Sequence, residues 1–165
     1  MTSASQRPDL RRIGESAFTE VLNTLLPLPS AVGGPATHTA LSDARDQITS
    51  SVLLTGPRLS GSVHVQLPKG FVTHAIHVLT GFDGAAAEAN GLLDDTAGEL
   101  ANMVAGRVAT RLAQDGYACT LGTPSVSHSA RLPMENQAAV EHGRADLICE
   151  GHRLAVEIQC RYAVL

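Results

Sequence analysis

Tryptophan is absent, and aromatic residues make up only 3% of the 165 positions. That leaves too few rings for a surface that stacks nucleic-acid bases. Basic residues are also scarce: 12 Lys and Arg stand against 16 Asp and Glu, for a net charge of −4. Binding to a phosphate backbone or to an anionic membrane needs clustered positive charge, so both are excluded as expectations. No apolar run approaches the ~20 residues that span a bilayer. Residues Met1 to Gln6 are small and polar, without the apolar core of a signal peptide. Cysteine is limited to Cys119, Cys149 and Cys160, an odd number in apolar surroundings with no CxxC or Cys/His ligand spacing. Reduced core thiols in a soluble cytoplasmic protein are the expectation, with no metal site.

What is present is an aliphatic chain, 44% hydrophobic and long enough for one domain with its own core. We assign residues 1–8 to a flexible tail and 9–165 to the domain. The most informative stretch runs from Asp94 to Leu112, rich in Ala, Leu, Arg, Met and Glu and free of Pro. It predicts one long helix, with Asp94-Asp95-Thr96 as a capped opening. At helical spacing Leu93, Ala97, Leu100, Ala101, Val104 and Val108 share an apolar face. Asp95, Glu99, Asn102, Gly106, Ala109 and Ala113 share the opposite strip. A strip that served only solubility would carry Lys, Glu and Gln. Two short polar groups set among Gly and Ala instead leave room for another molecule to come close.

Asp95-x-x-x-Glu99-x-x-Asn102, followed by Pro124 with 21 residues between Asn102 and the proline, resembles the signature of the CheC/CheX/FliY family of chemotaxis phosphatases. Leu100 to Gly106, Thr123-Pro124-Ser125-Val126, Ser51 to Gly56 and Gly61-Ser62-Val63 are similar to its CheX branch. The likeness spans residues 13 to 162. Ser16-x-x-x-Glu20-x-x-Asn23 is a second copy of the pattern near the N-terminus, with no proline at the family spacing after it. The resemblance makes Glu20 and Asn23 a second candidate pair, as in two-site members of the family.

In chain order, Asp9 to Leu26 predicts a helix with Phe18, Val21, Leu22, Leu25 and Leu26 inward, stopped by Pro27 and Pro29. Residues 27–45 read as a long loop, with a helical turn over Ala40 to Arg45. Gln47–Thr55 and Ser60–Leu67 predict a hairpin, and Lys69–Leu79 a short amphipathic helix. After the central helix, stopped by Asp115-Gly116, come extended pieces at Tyr117–Leu121 and Val126–Ser129. Ala138–His142, Arg144–Cys149 and Arg153–Tyr162 predict three further strands. The fold class is therefore α+β, a mostly antiparallel sheet of about six strands with three main helices on one face. The resemblance adds a pseudo-twofold between two structural halves.

A Glu and an Asn three residues apart cannot perform nucleophilic hydrolysis alone, for neither is an activated nucleophile. Asn can hold a water through its carbonyl and amide, and a carboxylate beside it can meet a partner's lysine. The resemblance implies that the partner is a phosphorylated CheY-like response regulator, which brings the aspartyl-phosphate and its own Mg²⁺. Glu99 would dock the partner's lysine and Asn102 would orient the attacking water. Asp95, Gly98, Gly106 and Pro124 would shape the docking face. A non-catalytic adaptor of the same fold, binding a response regulator or other signalling protein, is the alternative. The resemblance also implies a homodimer joined at sheet edges, for which the apolar strand Leu154–Tyr162 is the expected edge. His64, His74 and His77 lie near one another in sequence, but no Asp, Glu or Cys completes a ligand set beside them.

Overall fold

The computed structural model describes residues 7–26, 44–89, 91–129 and 140–164. Helix α1 spans Leu10–Leu25 and opens on Asp9, whose carboxylate accepts the Arg12 amide at 3.1 Å, a side-chain N-cap. Its inward stripe of Leu10, Ile13, Ala17, Phe18, Val21 and Leu22 follows the spacing of an amphipathic helix. A short 3-10 turn over Ala44–Asp46 leads into strand β1, Gln47–Thr55, and β2, Leu59–Pro68, which pair as an antiparallel hairpin. Most of the expected loop over 27–45, and Pro27 and Pro29 within it, lies outside the described residues.

Helix α2, Lys69–Thr80, starts after Pro68 and stops at Gly81. Gly81 takes the left-handed conformation, φ 76°, that favours a residue without a side chain, and its amide reaches the His77 carbonyl. Helix α3 is a short piece, Gly84–Ala89, and α4 is the long one, Leu92–Gln114. The expected Asp-Asp-Thr cap is corrected here. Gly91 occupies the cap position with no side-chain hydrogen bond, and Asp94 and Asp95 fall inside the first turn. There they meet the positive end of the helix dipole. At the other end the Gly116 and Tyr117 amides fold back onto the Ala113 and Leu112 carbonyls, a stop placed at Asp115-Gly116 as expected.

The extended pieces after α4 are shorter than expected: β3 is Thr120–Leu121 and β4 is Ser125–Ser127, both pairing with β1. Glu141–Cys149 forms one strand, β5, where two had been expected; the part of the first over 138–139 lies outside the described residues. Strand β6, His152–Tyr162, returns through a two-residue turn at Glu150 and Gly151, whose φ values are 49° and 75°. Positive φ at both positions is the tight hairpin turn that matches strand twist.

The sheet runs β3-β1-β2-β6-β5, with β4 also on β1. Each antiparallel hairpin, β1–β2 and β5–β6, mirrors the other across the central β2–β6 pair, and each long helix packs on the hairpin of the opposite half: α1 on β5 and β6, α4 on β1 and β2. This order corrects the expected dimer edge. Strand β6 is hydrogen-bonded on both sides, to β2 and to β5, so its backbone has no free row to offer a second copy.

One core fills the space between sheet and helices, with Phe18, Ile48, Val63, Phe71, Val104, Leu147 and Ile158 buried in it. The opposite face of the sheet is polar. Register aligns Ser51, His64, Glu157 and Arg144 across β1, β2, β6 and β5. The two ring nitrogens of His64, 2% exposed, sit 2.7 Å from the Ser51 hydroxyl and 2.8 Å from the Ser62 hydroxyl. Both ring nitrogens of this buried histidine thus have hydroxyl partners. Of the expected tail, residues 1–6 lie outside the described part; Pro8 is buried, and Arg7 pairs with Glu141 and lies over the Tyr162 ring.

Candidate functional site

Helix α4 separates its faces as its spacing predicts. Leu93, Ala97, Leu100, Ala101, Val104 and Val108 are buried, which fixes the rotation of the helix about its axis. Asp95 and Glu99 are then exposed, and Asn102, Gly106 and Ala109 are half-buried. Among the described residues, the side chains of Asp95, Glu99 and Asn102 make no hydrogen bond or ion pair. Asp94, beside them, is engaged: His128 Nε2 lies 2.7 Å from its carboxylate.

Pro124 and Val126 come alongside this strip because β4 pairs with β1, beneath α4. Together with Asp94, Asp95, Gly98 and Glu99 they line a shallow surface groove. Gly98 is buried under the Pro124 segment, where an added Cβ would meet Val126 and Pro124 at 3.7 and 3.8 Å. That is ordinary contact, so the packing tolerates an alanine. At Gly106 an added Cβ would meet nothing within 4 Å, so the helix backbone there is open to an approaching molecule.

The structure thus brings Asp95, Gly98, Glu99 and Pro124 into one groove, with Asn102 a turn further along the same strip. Glu20 and Asn23 lie elsewhere, on α1, in a wide depression with Arg12, Ser16, Thr19 and Arg111. Asn23 is exposed, but Glu20 is not free. Arg111 donates to its carboxylate at 2.6 Å, Arg107 Nε lies 3.3 Å from its other oxygen, and Arg111 also reaches the Ser16 hydroxyl at 3.2 Å. The hydrogen bond from Arg111, with the positive charges of both arginines, holds the Glu20 carboxyl below the usual carboxylate range.

This clamp is one feature that sequence reasoning missed. The available signal was the i, i+4 spacing of Arg107 and Arg111, which puts both on one face. Nothing local says that Glu20 stands opposite. A second feature missed is a concavity of about 240 Å³ on the other flank of Glu99. Leu25, Leu26, Ala75, Leu79, Leu100 and Met103 line it, from three helices far apart in sequence. Among the described residues no three His, Cys, Asp or Glu side chains converge as a metal site would require, and no helix is long and apolar enough to cross a membrane.

A pseudo-twofold α+β domain with a Glu-x-x-Asn strip exposed on its long helix defines a CheC-like class of protein. The model of the family "Chemotaxis phosphatase CheX" matches residues 48–146, and the chain belongs to that family. Its fold is similar to that of the chemotaxis protein CheX from Vibrio vulnificus, with 18% identity, 97% of this chain and 100% of that one covered, and a TM-score of 0.76. It is likewise similar to a structure of the CheX–CheY complex with BeF3 and Mg from Borrelia burgdorferi, at 18% identity, 94% and 99% coverage and a TM-score of 0.74. FliY from Thermotoga maritima shares it more loosely, at 19% identity, 93% and 88% coverage and a TM-score of 0.57. No curated protein matches the chain.

Proposed function

We propose that this protein hydrolyses the aspartyl-phosphate of a CheY-like receiver domain, using Glu99 and Asn102 as its site. The observation that carries the reading is the pair itself: a carboxylate and a carboxamide one turn apart on an exposed strip, neither spoken for by a described residue. Membership of the chemotaxis phosphatase family supports it, as does the Borrelia relative whose structure holds CheX together with CheY. Glu99 meets a lysine of the partner and fixes the docking. Asn102 holds a water in line with the phosphorus. The water oxygen forms a bond to phosphorus as the acyl oxygen–phosphorus bond breaks, leaving the partner's aspartate and inorganic phosphate, which takes the water's proton. Mg²⁺ belongs to the receiver and neutralises charge on the phosphoryl oxygens.

The α1 pair contributes no second site in this reading, because a carboxylate held by two arginines of its own chain is unavailable to a lysine from outside. The test is release of phosphate from a phosphorylated receiver with Mg²⁺ present. Asn102→Ala should lower the rate at least about 10²-fold with receiver binding retained, the size of effect seen when a positioning group is lost. Asn23→Ala should leave the rate within about twofold. Binding without turnover in the unaltered protein would leave only the adaptor.

A further inference from the structure

The concavity beside Glu99 is the least explained feature of the surface. At about 240 Å³ it falls below the roughly 300–1,000 Å³ of a small-molecule pocket. It has room for one or two side chains. Its wall is aliphatic, from Leu25, Leu79, Leu100 and Met103, while Asp95 and Glu99 stand on its rim. Leu79, on the groove wall near the end of α2, is 49% exposed. An aliphatic wall that includes an exposed leucine, next to two carboxylates with no described partner, forms a patch of mixed character.

Charge decides the occupant. Among the described residues no lysine or arginine lines the groove, whereas the carboxylates of Glu20 and Asp94 are matched by arginines or a histidine. A visitor must therefore bring the cation. It must also bring an apolar side chain close to that cation, because the carboxylates and the aliphatic wall are contiguous.

Resting on the function proposed above, we propose that this groove is the specificity-determining half of the docking surface. It takes an apolar side chain of the receiver that neighbours the lysine drawn to Glu99. Asn102 then acts on the phosphoryl group while Leu79 and the wall around it select which receiver is held. The division of labour separates the two in kinetics: the strip sets turnover, the groove sets affinity.

The experiment uses the full-length chain, a phosphorylated receiver domain that it dephosphorylates, and Mg²⁺. Leu79→Ser and Leu79→Asn, at an exposed position on the groove wall, should each raise KM about 5- to 30-fold, the range for truncating a central interface anchor, with kcat within about twofold. Leu53→Ser, at a more exposed leucine on the opposite face of the sheet, should change neither. Unaltered KM in both groove variants, or a loss confined to kcat, overturns the groove while phosphatase activity stands. Failure of the unaltered protein to bind or dephosphorylate any receiver overturns both readings together.

Discussion

Burial pushes the Cys160 thiol up to about 12, which leaves roughly one thiolate in 10⁴ at pH 8. Cys119 and Cys149 are raised as well, again by desolvation, but Cys119 is only half-buried. In the native protein a thiol reagent at pH 8 should therefore label Cys119 first and leave Cys160 unreacted until denaturant is added. Prompt labelling of Cys160 would contradict its place in the core. The same logic of surroundings separates the two motif copies. Glu20 and Glu99 are the same residue in the same pattern. One is met by arginines of its own chain and the other is not, and no property of glutamate decides which.

At the scale of elements, the Glu20 clamp ties α1 to α4. Contacts pair Ser16 with Arg111 and Glu20 with both Arg111 and Arg107, so the two helices run antiparallel along this seam. The clamp is solvent-accessible and should weaken with salt. Its pH dependence has a definite sign. The folded-state value of Glu20 is depressed, so its contribution is complete above the unfolded carboxylate value of ~4.3 and vanishes as the pH falls through the folded one. Thermal unfolding between pH 5 and pH 3 should show the unaltered protein losing more stability than Glu20→Gln, with little difference between their acid limits. Equal losses would mean that the clamp holds nothing together. Asp94 and Asp95 illustrate a different outcome for an element. They read as a cap, but the helix starts two residues earlier, at Leu92, because the preceding Gly91 can take the left-handed φ of 69°.

For the whole molecule, stability rests on the single core between the sheet and the paired helices. Ile158 lies on β6 at the centre of that sheet, fully buried, and its side chain reaches the α1 backbone where Gly14 has no Cβ. Ile158→Ala should cost about 2–5 kcal/mol through lost transfer energy and the cavity left behind. Urea unfolding would read this as a lower midpoint with an unchanged slope. A cost under about 1 kcal/mol would show that the two halves do not share that core. The placement of β6 also governs assembly. A strand with apolar composition at the end of a chain reads as an edge, yet pairing with β2 and β5 puts it in the middle.

By itself the sequence determined what depends on near neighbours along the chain. Periodicity gave α1, α2 and α4 and the inward face of α4, although on α2 Leu79, whose spacing turns it inward with Phe71, Val72, Ala75 and Ile76, is 49% exposed; alternation and turn residues gave the β1–β2 hairpin; and helical spacing put Asp95, Glu99, Asn102 and Gly106 on one strip. The ordered motif with Pro124 carried the family. Tertiary structure alone decided what depends on distant segments meeting. It set Pro124 beside Glu99 through the β4–β1 pairing, placed Arg107 and Arg111 over Glu20, and moved β6 inward. It also closed an aliphatic groove from residues as far apart as Leu25, Leu79 and Met103. The physical reason is the same in each case. Local spacing fixes which way a side chain points from its own helix or strand, but what it meets depends on which other element packs there, and no pattern within a single element encodes that.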